Sequence, residues 1–319
     1  MARFAIPRGS FPLICRRLRA AGRIYALRKK KQIVTIGLHF VKGGRRMKRI
    51  AMLLALLVTL AALSVGVSAG AIATPVYIDG VEAPVGAVLD KSVDTTYVPI
   101  RAFSYVMRPG ASVTWEYGQA VVRCWDLVIT AREGSCYIEA NGRVLYTRAP
   151  IISLNGSIMV SVRALAKAFD ATVDWDDATA SVSIKTGGGA ILPAERFYDA
   201  DALRWLARII NAEAEAEPFL GKVAVGNVVL NRVKSPEFPN SIWGVIFDRK
   251  WGVQFEPTVN GRIYMEPTAE SVRAAKMCLE GTNVAGSSLY FLNPAKSSNF
   301  WIMQNRAYVT AIGGHLFYA

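Results

Sequence analysis

Histidine and cysteine are the scarce residues of this chain, two of the first and four of the second in 319 residues. Only His315, Cys124, Cys136 and Cys278 lie beyond residue 73. Zinc sites are built from several Cys, His or carboxylate ligands, and no C-x-x-C or H-E-x-x-H spacing is present to start one. A metal-dependent amidase or protease is therefore excluded, and no metal or other cofactor is expected. No G-x-S-x-G elbow accompanies His315, which removes a Ser-His-Asp enzyme. Acid is missing from one region only. Residues 1–49 hold fifteen Lys or Arg and no Asp or Glu, so the formal charge of +14 falls to 23 basic against 24 acidic residues in the remainder. Nucleic-acid binding needs basic residues clustered on a folded surface, so no nucleic-acid partner is expected. With 52% apolar and 19% charged residues the chain is not of the disordered class, and its length suits two domains of ordinary size.

Met47-Lys48-Arg49 precedes the apolar run from Ile50 to Leu63, broken only by Thr59. Small residues follow, with Val67-Ser68-Ala69 and Ala71-Ile72-Ala73 as A-x-A-like cleavage sites. Charge, apolar stretch and small residues in that order read as a secretory signal peptide, and residues 1–73 are assigned to a basic leader and signal peptide. The alternative is an uncleaved anchor, because the apolar character continues to Ala73 and is long enough to span a bilayer. Membrane retention is expected in that case alone. Outside the cytoplasm Cys124 and Cys136 could form a disulfide or remain buried thiols.

Residues 75–185 read as β-rich, in short runs punctuated by Asp-Gly and Asn-Gly turns. One pattern occurs twice. Tyr97-Val98-Pro99-Ile100-Arg101-Ala102-Phe103 returns as Met159-Val160-Ser161-Val162-Arg163-Ala164-Leu165, each leading through a short helix to Val113-Thr114-Trp115-Glu116 or Val173-Asp174-Trp175-Asp176. Trp115 and Trp175, at strand positions, are expected to pack in the core. On this repeat, residues 74–186 resemble the copper amine oxidase N-terminal-like domain of secreted wall proteins. The resemblance implies a non-catalytic wall-associating or spacer module without copper. Gly187-Gly188-Gly189 then breaks the pattern, and a flexible Gly-rich linker over residues 187–197 is expected.

Residues 199–217 read as an amphipathic helix, with acid in the first turn and Leu203, Leu206, Ile209 and Ile210 at helical spacing. It ends in Asn211-Ala212-Glu213-Ala214-Glu215-Ala216-Glu217. At the helical repeat, Glu213 falls on the apolar stripe beside Leu206 and Ile209, Glu217 follows one turn on, and Glu215 faces water. A carboxyl buried against apolar groups keeps its proton to higher pH, the property that glycosidic bond cleavage asks of its general acid. The same position would equally suit a structural carboxylate capping the backbone or paired with Arg232.

This stretch, with Gly221-Lys222-Val223-Ala224-Val225-Gly226, Asn231-Arg232, Phe238-Pro239-Asn240-Ser241-Ile242, Gln254-Phe255, Leu289-Tyr290-Phe291-Leu292-Asn293-Pro294 and Gly313-Gly314-His315-Leu316-Phe317, resembles the SleB-type cell wall hydrolase family of spore cortex-lytic enzymes. The match covers residues 198–319. It implies an α+β chain: an N-terminal β-rich repeat domain plus a C-terminal lysozyme-like, mainly helical domain with a small β-hairpin. It also implies a secreted peptidoglycan lytic transglycosylase of cell wall or spore cortex, with Glu213 as general acid and base and glycan strands as partner. Glu217 stands at the family's second motif glutamate, with Ala216 where a glycine is usual; Gln254, Tyr290 and Asn293 are the other substrate-binding candidates. Trp205, Trp243, Trp251, Trp301, Tyr264 and Tyr290 could stack on sugars or pack in the core. Asn231-Arg232 could also tie down helix carbonyls. His315 is expected in a Gly-Gly hairpin, held by a hydrogen bond within it. Two rival readings stand beside this one: a non-catalytic wall-binding protein, and a thiol peptidase using Cys278 and His315. Against the second, residues 268–280 read as a helix ended by Gly281, with Cys278 on its apolar stripe near the C-terminal end, far from the setting a thiolate needs.

Overall fold

The structure, a computed structural model, describes residues 71–297 and 300–319. Most of the predicted leader, including Val67-Ser68-Ala69, lies outside the described residues. The other expected cleavage site, Ala71-Ile72-Ala73, falls within strand β1 (Ala71–Thr74). The fold is α+β. Its β-rich part runs β1, β2 (Val76–Ile78), β3 (Val81–Glu82), β4 (Ala87–Asp90), β5 (Thr95–Pro99), helix α1 (Ile100–Met107), β6 (Ser112–Glu116), β7 (Gln119–Arg123), β8 (Val128–Ala131), β9 (Tyr137–Ala140) and β10 (Arg143–Tyr146). It then continues through β11 (Ile152–Leu154), β12 (Ser157–Ser161), helix α2 (Val162–Ala168), β13 (Thr172–Asp176) and β14 (Ser181–Lys185). Three sheets result, in the orders β1-β4-β5-β12-β11, β10-β9-β8-β7-β6 and β13-β14-β2-β3.

The sequence repeat is visible in the pairing. Strands β5 and β12 are antiparallel neighbours with Val98 opposite Val160, Tyr97 opposite Ser161 and Pro99 opposite Met159. These partners exchange under the 62-residue offset, so a local two-fold axis passes through the Val98–Val160 pair. Each of the two strands feeds a helix and then a hairpin, β6–β7 or β13–β14. Val98, Val160, Phe103, Leu165, Phe169 and Ile184 lie in the core between them. Trp175 packs half-buried on that core, but Trp115 is 58% exposed. The expectation of two core tryptophans is corrected at Trp115, which stands in the wall of an open groove beside Arg101 and Ser157 and not in the core. Cys124 and Cys136 are unpaired and half-buried.

The longer helices of the helical part are α3 (Ala200–Ala214), α4 (Phe219–Lys234), α5 (Ile242–Phe247) and α6 (Ala269–Leu279), with short helical turns at Ala194–Phe197, Pro257–Asn260, Arg262–Tyr264 and Trp301–Asn305; β15 (Tyr290–Leu292), β16 (Tyr308–Ile312) and β17 (His315–Tyr318) form a three-stranded sheet in the order β15-β17-β16. Leu206, Ile209 and Ile210 of α3, Val223 and Val229 of α4, and Met277 and Cys278 of α6 share one buried core. The described residues form one compact unit. Val144 and Leu206 share a cluster, and buried Glu280 pairs with Arg143 at 2.6 Å and Lys167 at 2.9 Å while accepting from the Tyr198 hydroxyl. Arg273 adds an ion pair to Glu139.

The expected flexible linker is therefore corrected. The Gly188 amide donates to Asp170 at 2.7 Å, the Ile191 amide to the Ala168 carbonyl and the Ala194 amide to the Asn141 carbonyl. A Cβ on Gly187 would collide with the Asp170 carbonyl oxygen. That glycine serves close approach of two backbones, a second use of the residue besides mobility.

Candidate active site

Helix α3 starts where its sequence says it should. The Asp199 side chain accepts from the Ala202 amide at 2.7 Å, satisfying one of the orphan donors at the helix start. Its apolar stripe is fully buried at Leu206, Ile209 and Ile210. The end differs from the expectation: the helix stops at Ala214, three residues before Glu217. Pro218 disfavours helical backbone at the residue before it, and it also opens α4 as that helix's N-cap.

The break sorts the three glutamates. Glu215 is exposed, as expected. Glu213, Glu215 and Glu217 all line a cleft of about 410 Å³, together with Arg262 and Lys296. Glu213 is half-buried, and among the described residues no hydrogen bond or ion pair engages its carboxyl. Burial pushes its pKa up from 4.5 to about 7; Arg262 and Arg232 oppose the rise, and Glu256 adds to it. The structural alternative, an ion pair with Arg232, is not formed: Arg232 acts on Glu213 only through its field.

Glu217 is in a different position. Its Oε2 accepts from the Gly314 amide at 2.7 Å, Oε1 lies 3.7 Å from His315 Nδ1, and its carbonyl accepts from buried Lys222 Nζ at 2.6 Å. Lys222 also pairs with Glu270. Glu217 therefore clamps the β16–β17 turn onto the end of α3. Gly313, at φ +61°, crosses this junction where a Cβ would collide with the Glu217 carboxylate. The Gly-Gly hairpin before His315 is as expected, but its hydrogen-bonding role is corrected. His315 is buried with no partner at Nδ1, and it faces Glu217 instead of bonding within the hairpin. Burial holds its pKa below the ordinary value, with Glu217 opposing.

Gln254 and Tyr290 line a second cleft of about 340 Å³ with Trp251, Trp301, Phe238 and Arg306. Buried Arg232 lies behind this second cleft. It donates from Nε to the Leu289 carbonyl at 2.7 Å and from Nη1 to Gln254 Oε1 at 3.4 Å, and it lies over the Phe238, Phe255 and Tyr290 rings. Asn231 donates to the Gly286 and Ser288 carbonyls. The Asn231-Arg232 pair thus ties down residues 286–289 and not helix carbonyls. Asn293 closes a local turn by accepting from the Ala295 amide, and its amide group adjoins Gly314. The structure places it beside the Glu217 junction, outside both clefts. Among the aromatics, Trp205 packs edge-on against Phe247 and Tyr264, while Trp243, Trp251, Trp301 and Tyr264 are at least half exposed.

Other residues of the site carried no signal of their own. Arg262 and Lys296 reach the cleft from outside helix α3. Asn211 is buried and accepts from the Thr268 amide at 2.9 Å and the Ser271 hydroxyl at 3.0 Å, docking α3 on the start of α6. Its place two residues before Glu213 in an apolar helix was the available clue. Helix α6 is capped by Thr268 and followed by Gly281 at φ +92°, as expected. Cys278 is buried, donates to the Val223 carbonyl at 3.3 Å and touches Asn227, and burial raises its pKa. It makes no contact with His315, so the thiol peptidase pair is not assembled.

Comparison with known proteins agrees with this organisation. A family model described as Cell Wall Hydrolase matches residues 216–318, and the Copper amine oxidase N-terminal domain model matches residues 77–184. The chain is similar to the spore cortex-lytic enzyme of Halalkalibacterium halodurans, 36% identical over 120 residues that make up 38% of this chain and 35% of that protein. The Bacillus subtilis spore cortex-lytic enzyme is 37% identical over 36% of each chain. The chain thus spans less than half the length of these relatives. Among solved structures, the catalytic domain of the germination-specific lytic transglycosylase SleB from Bacillus anthracis is 34% identical, covering 40% of this chain and 100% of that one with a TM-score of 0.36.

Proposed function

We propose that this chain, whose residues 216–318 match the Cell Wall Hydrolase family model, is an exported lytic transglycosylase that cleaves peptidoglycan glycan strands of cell wall or spore cortex. The relatives' names support the reaction class. The observation that carries the assignment is the Glu213 carboxyl: half-buried, unpartnered, facing a cleft, and raised to about 7 by desolvation. Such a group still holds a proton near neutrality and gives it up readily, the balance general acid catalysis needs.

In the reaction, Glu213 protonates the oxygen linking N-acetylmuramic acid to N-acetylglucosamine as the anomeric C–O bond breaks. The ionised carboxylate then takes the proton from the muramyl C6 hydroxyl while that oxygen bonds the anomeric carbon. A 1,6-anhydro ring closes and Glu213 is again protonated. Glycosidases that use water commonly enlist a second carboxylate; of the other two carboxyls of the cleft, Glu217 is held by the Gly314 amide and Glu215 is exposed to water. One acid working in both steps fits this division. Gln254 and Tyr290 are assigned to sugar binding in the second cleft, and Glu217 and Asn293 to the border of the Glu213 cleft.

Purified peptidoglycan treated with Glu213→Gln should release anhydro-muropeptides about a thousandfold more slowly than with the parent, with an unchanged circular dichroism spectrum. Full activity in Glu213→Gln, measured by mass spectrometry of the products, would overturn the assignment. Export is part of the proposal. Removal of the leader after Ala69 leaves strand β1 whole against β4, whereas a cut after Ala73 takes three of its residues. Mass spectrometry of the secreted protein should therefore find Gly70 at its amino end.

A further inference from the structure

The β-rich part carries two clefts that are copies of each other. The first, of about 280 Å³, is walled by Arg101 in the first turn of α1, Trp115 on β6, and Ser157 at the start of β12. The second, of about 730 Å³, is walled by Arg163 in the first turn of α2, Trp175 on β13, and Thr95 at the start of β5. The correspondence extends through the whole smaller cleft. Ile100 matches Val162, Val113 matches Val173, and Ala120 matches Val182. Ala120 faces Trp115 across its hairpin as Val182 faces Trp175 across the other. Each cleft takes its third wall from the opposite half of the repeat, as the two-fold axis at Val98–Val160 requires.

A duplicated fold copies its grooves, but it need not keep a tryptophan and an arginine in both. Trp115 is 58% exposed, and Trp175, whose Nε1 donates to Asp177 at 2.8 Å, lines the larger groove. Flat indole faces in a concave site, rimmed by hydroxyl and charged groups, suit a ligand that is apolar on one face and polar at its edge. The larger cleft also carries Lys91, Arg148 and Arg163 against Asp94, Asp174 and Asp177. That balance of charge gives no attraction to a polyanion. A sugar ring has the required faces, and a polymer of sugars can engage two copies of one site at once.

We propose that residues 76–185 are a bivalent saccharide-binding module, with Trp115–Arg101 and Trp175–Arg163 as two equivalent subsites for β-1,4-linked N-acetylhexosamine strands. The choice of strand rests on the reading of the helical part as a peptidoglycan-cleaving enzyme. The module would hold the chain on its polymer while the Glu213 cleft acts.

Retention of the full chain on insoluble peptidoglycan and on chitin beads tests this, in a Glu213→Gln background that separates holding from cutting. Trp115→Ala or Trp175→Ala should weaken retention about fivefold to tenfold, and the double variant about fiftyfold by loss of bivalency. Tyrosine at both positions should restore most of it. Arg101→Ala/Arg163→Ala, which alters only exposed side chains, should lower retention severalfold and guards against misfolding of the tryptophan variants. Retention within twofold of the parent in either double variant overturns the proposal, as does retention that collapses in 0.5 M salt, the behaviour of an ionic polymer. If Glu213→Gln itself still releases anhydro fragments, the cleavage reading fails, and binding to chitin alone decides the module.

Discussion

At the end of helix α3 the Glu213 carboxyl meets the cleft without a partner, while one turn later, where Pro218 has ended the helix, the Glu217 carboxyl is spent on the β16–β17 hairpin. The two residues are chemically identical and line the same cleft. Their difference comes wholly from what the rest of the chain brings to them. Arg262, Arg232 and Glu256 act on Glu213 through their fields, whereas Gly314 and His315 are delivered to Glu217 by a hairpin ninety-seven residues away in sequence. One carboxyl stays reactive because it is left unsatisfied, and its neighbour holds that arrangement in place by being satisfied.

The comparison can be broken from the Glu217 side. Glu217→Ala leaves the Gly314 amide without its acceptor and removes the carboxylate that buried His315 faces, and it should lower unfolding stability by about 2–3 kcal/mol, the range for a charge-assisted hydrogen bond with a partner left unmet. Activity should fall about tenfold through a loosened hairpin, far less than in Glu213→Gln. Chemical denaturation together with product release reads both effects. If Glu217→Ala is catalytically dead at unchanged stability, the roles given to the two glutamates are reversed.

Several parts of this arrangement were legible in the residues. The repeat around Val98 and Val160, the Asp199 start of α3, the Thr268–Gly281 limits of α6 and the water-facing Glu215 all follow from local pattern, and the structure has each of them. What the pattern missed is tertiary. Helical periodicity carried α3 on to Glu217 because it takes no account of the residue before a proline. Trp115 and Trp175 read alike and each stands on an edge strand, yet one is exposed and the other packs half-buried on the core; how far neighbouring elements cover a side chain is not a local property. Gly187 read as a hinge because a glycine's use for close approach depends on a carbonyl from elsewhere, here that of Asp170. Arg262, Lys296 and Lys222 are ordinary surface residue types until the fold brings them to the cleft or buries them.

The smallest expected effect sharpens the comparison most, because it reads Glu213 without substrate. Its pKa is about 7 in the folded protein against 4.5 for the free side chain, so the fold favours the protonated form. Below pH 4.5 the group is neutral in both states and costs nothing. As pH rises from 4.5 to 7, the unfolded chain ionises first and stability drains away, reaching a constant penalty of at most about 3 kcal/mol above pH 7. Glu213→Gln cannot ionise and escapes the penalty. It should match the parent's stability at pH 4 and exceed it by about 1–3 kcal/mol at pH 8, as read by urea denaturation at both values. Glu217→Gln should show no such gain, since it replaces a side chain already engaged by the Gly314 amide. Equal stability of Glu213→Gln and parent at pH 8 would mean that the cleft does not desolvate Glu213, and the physical basis for its proton at neutral pH would be gone.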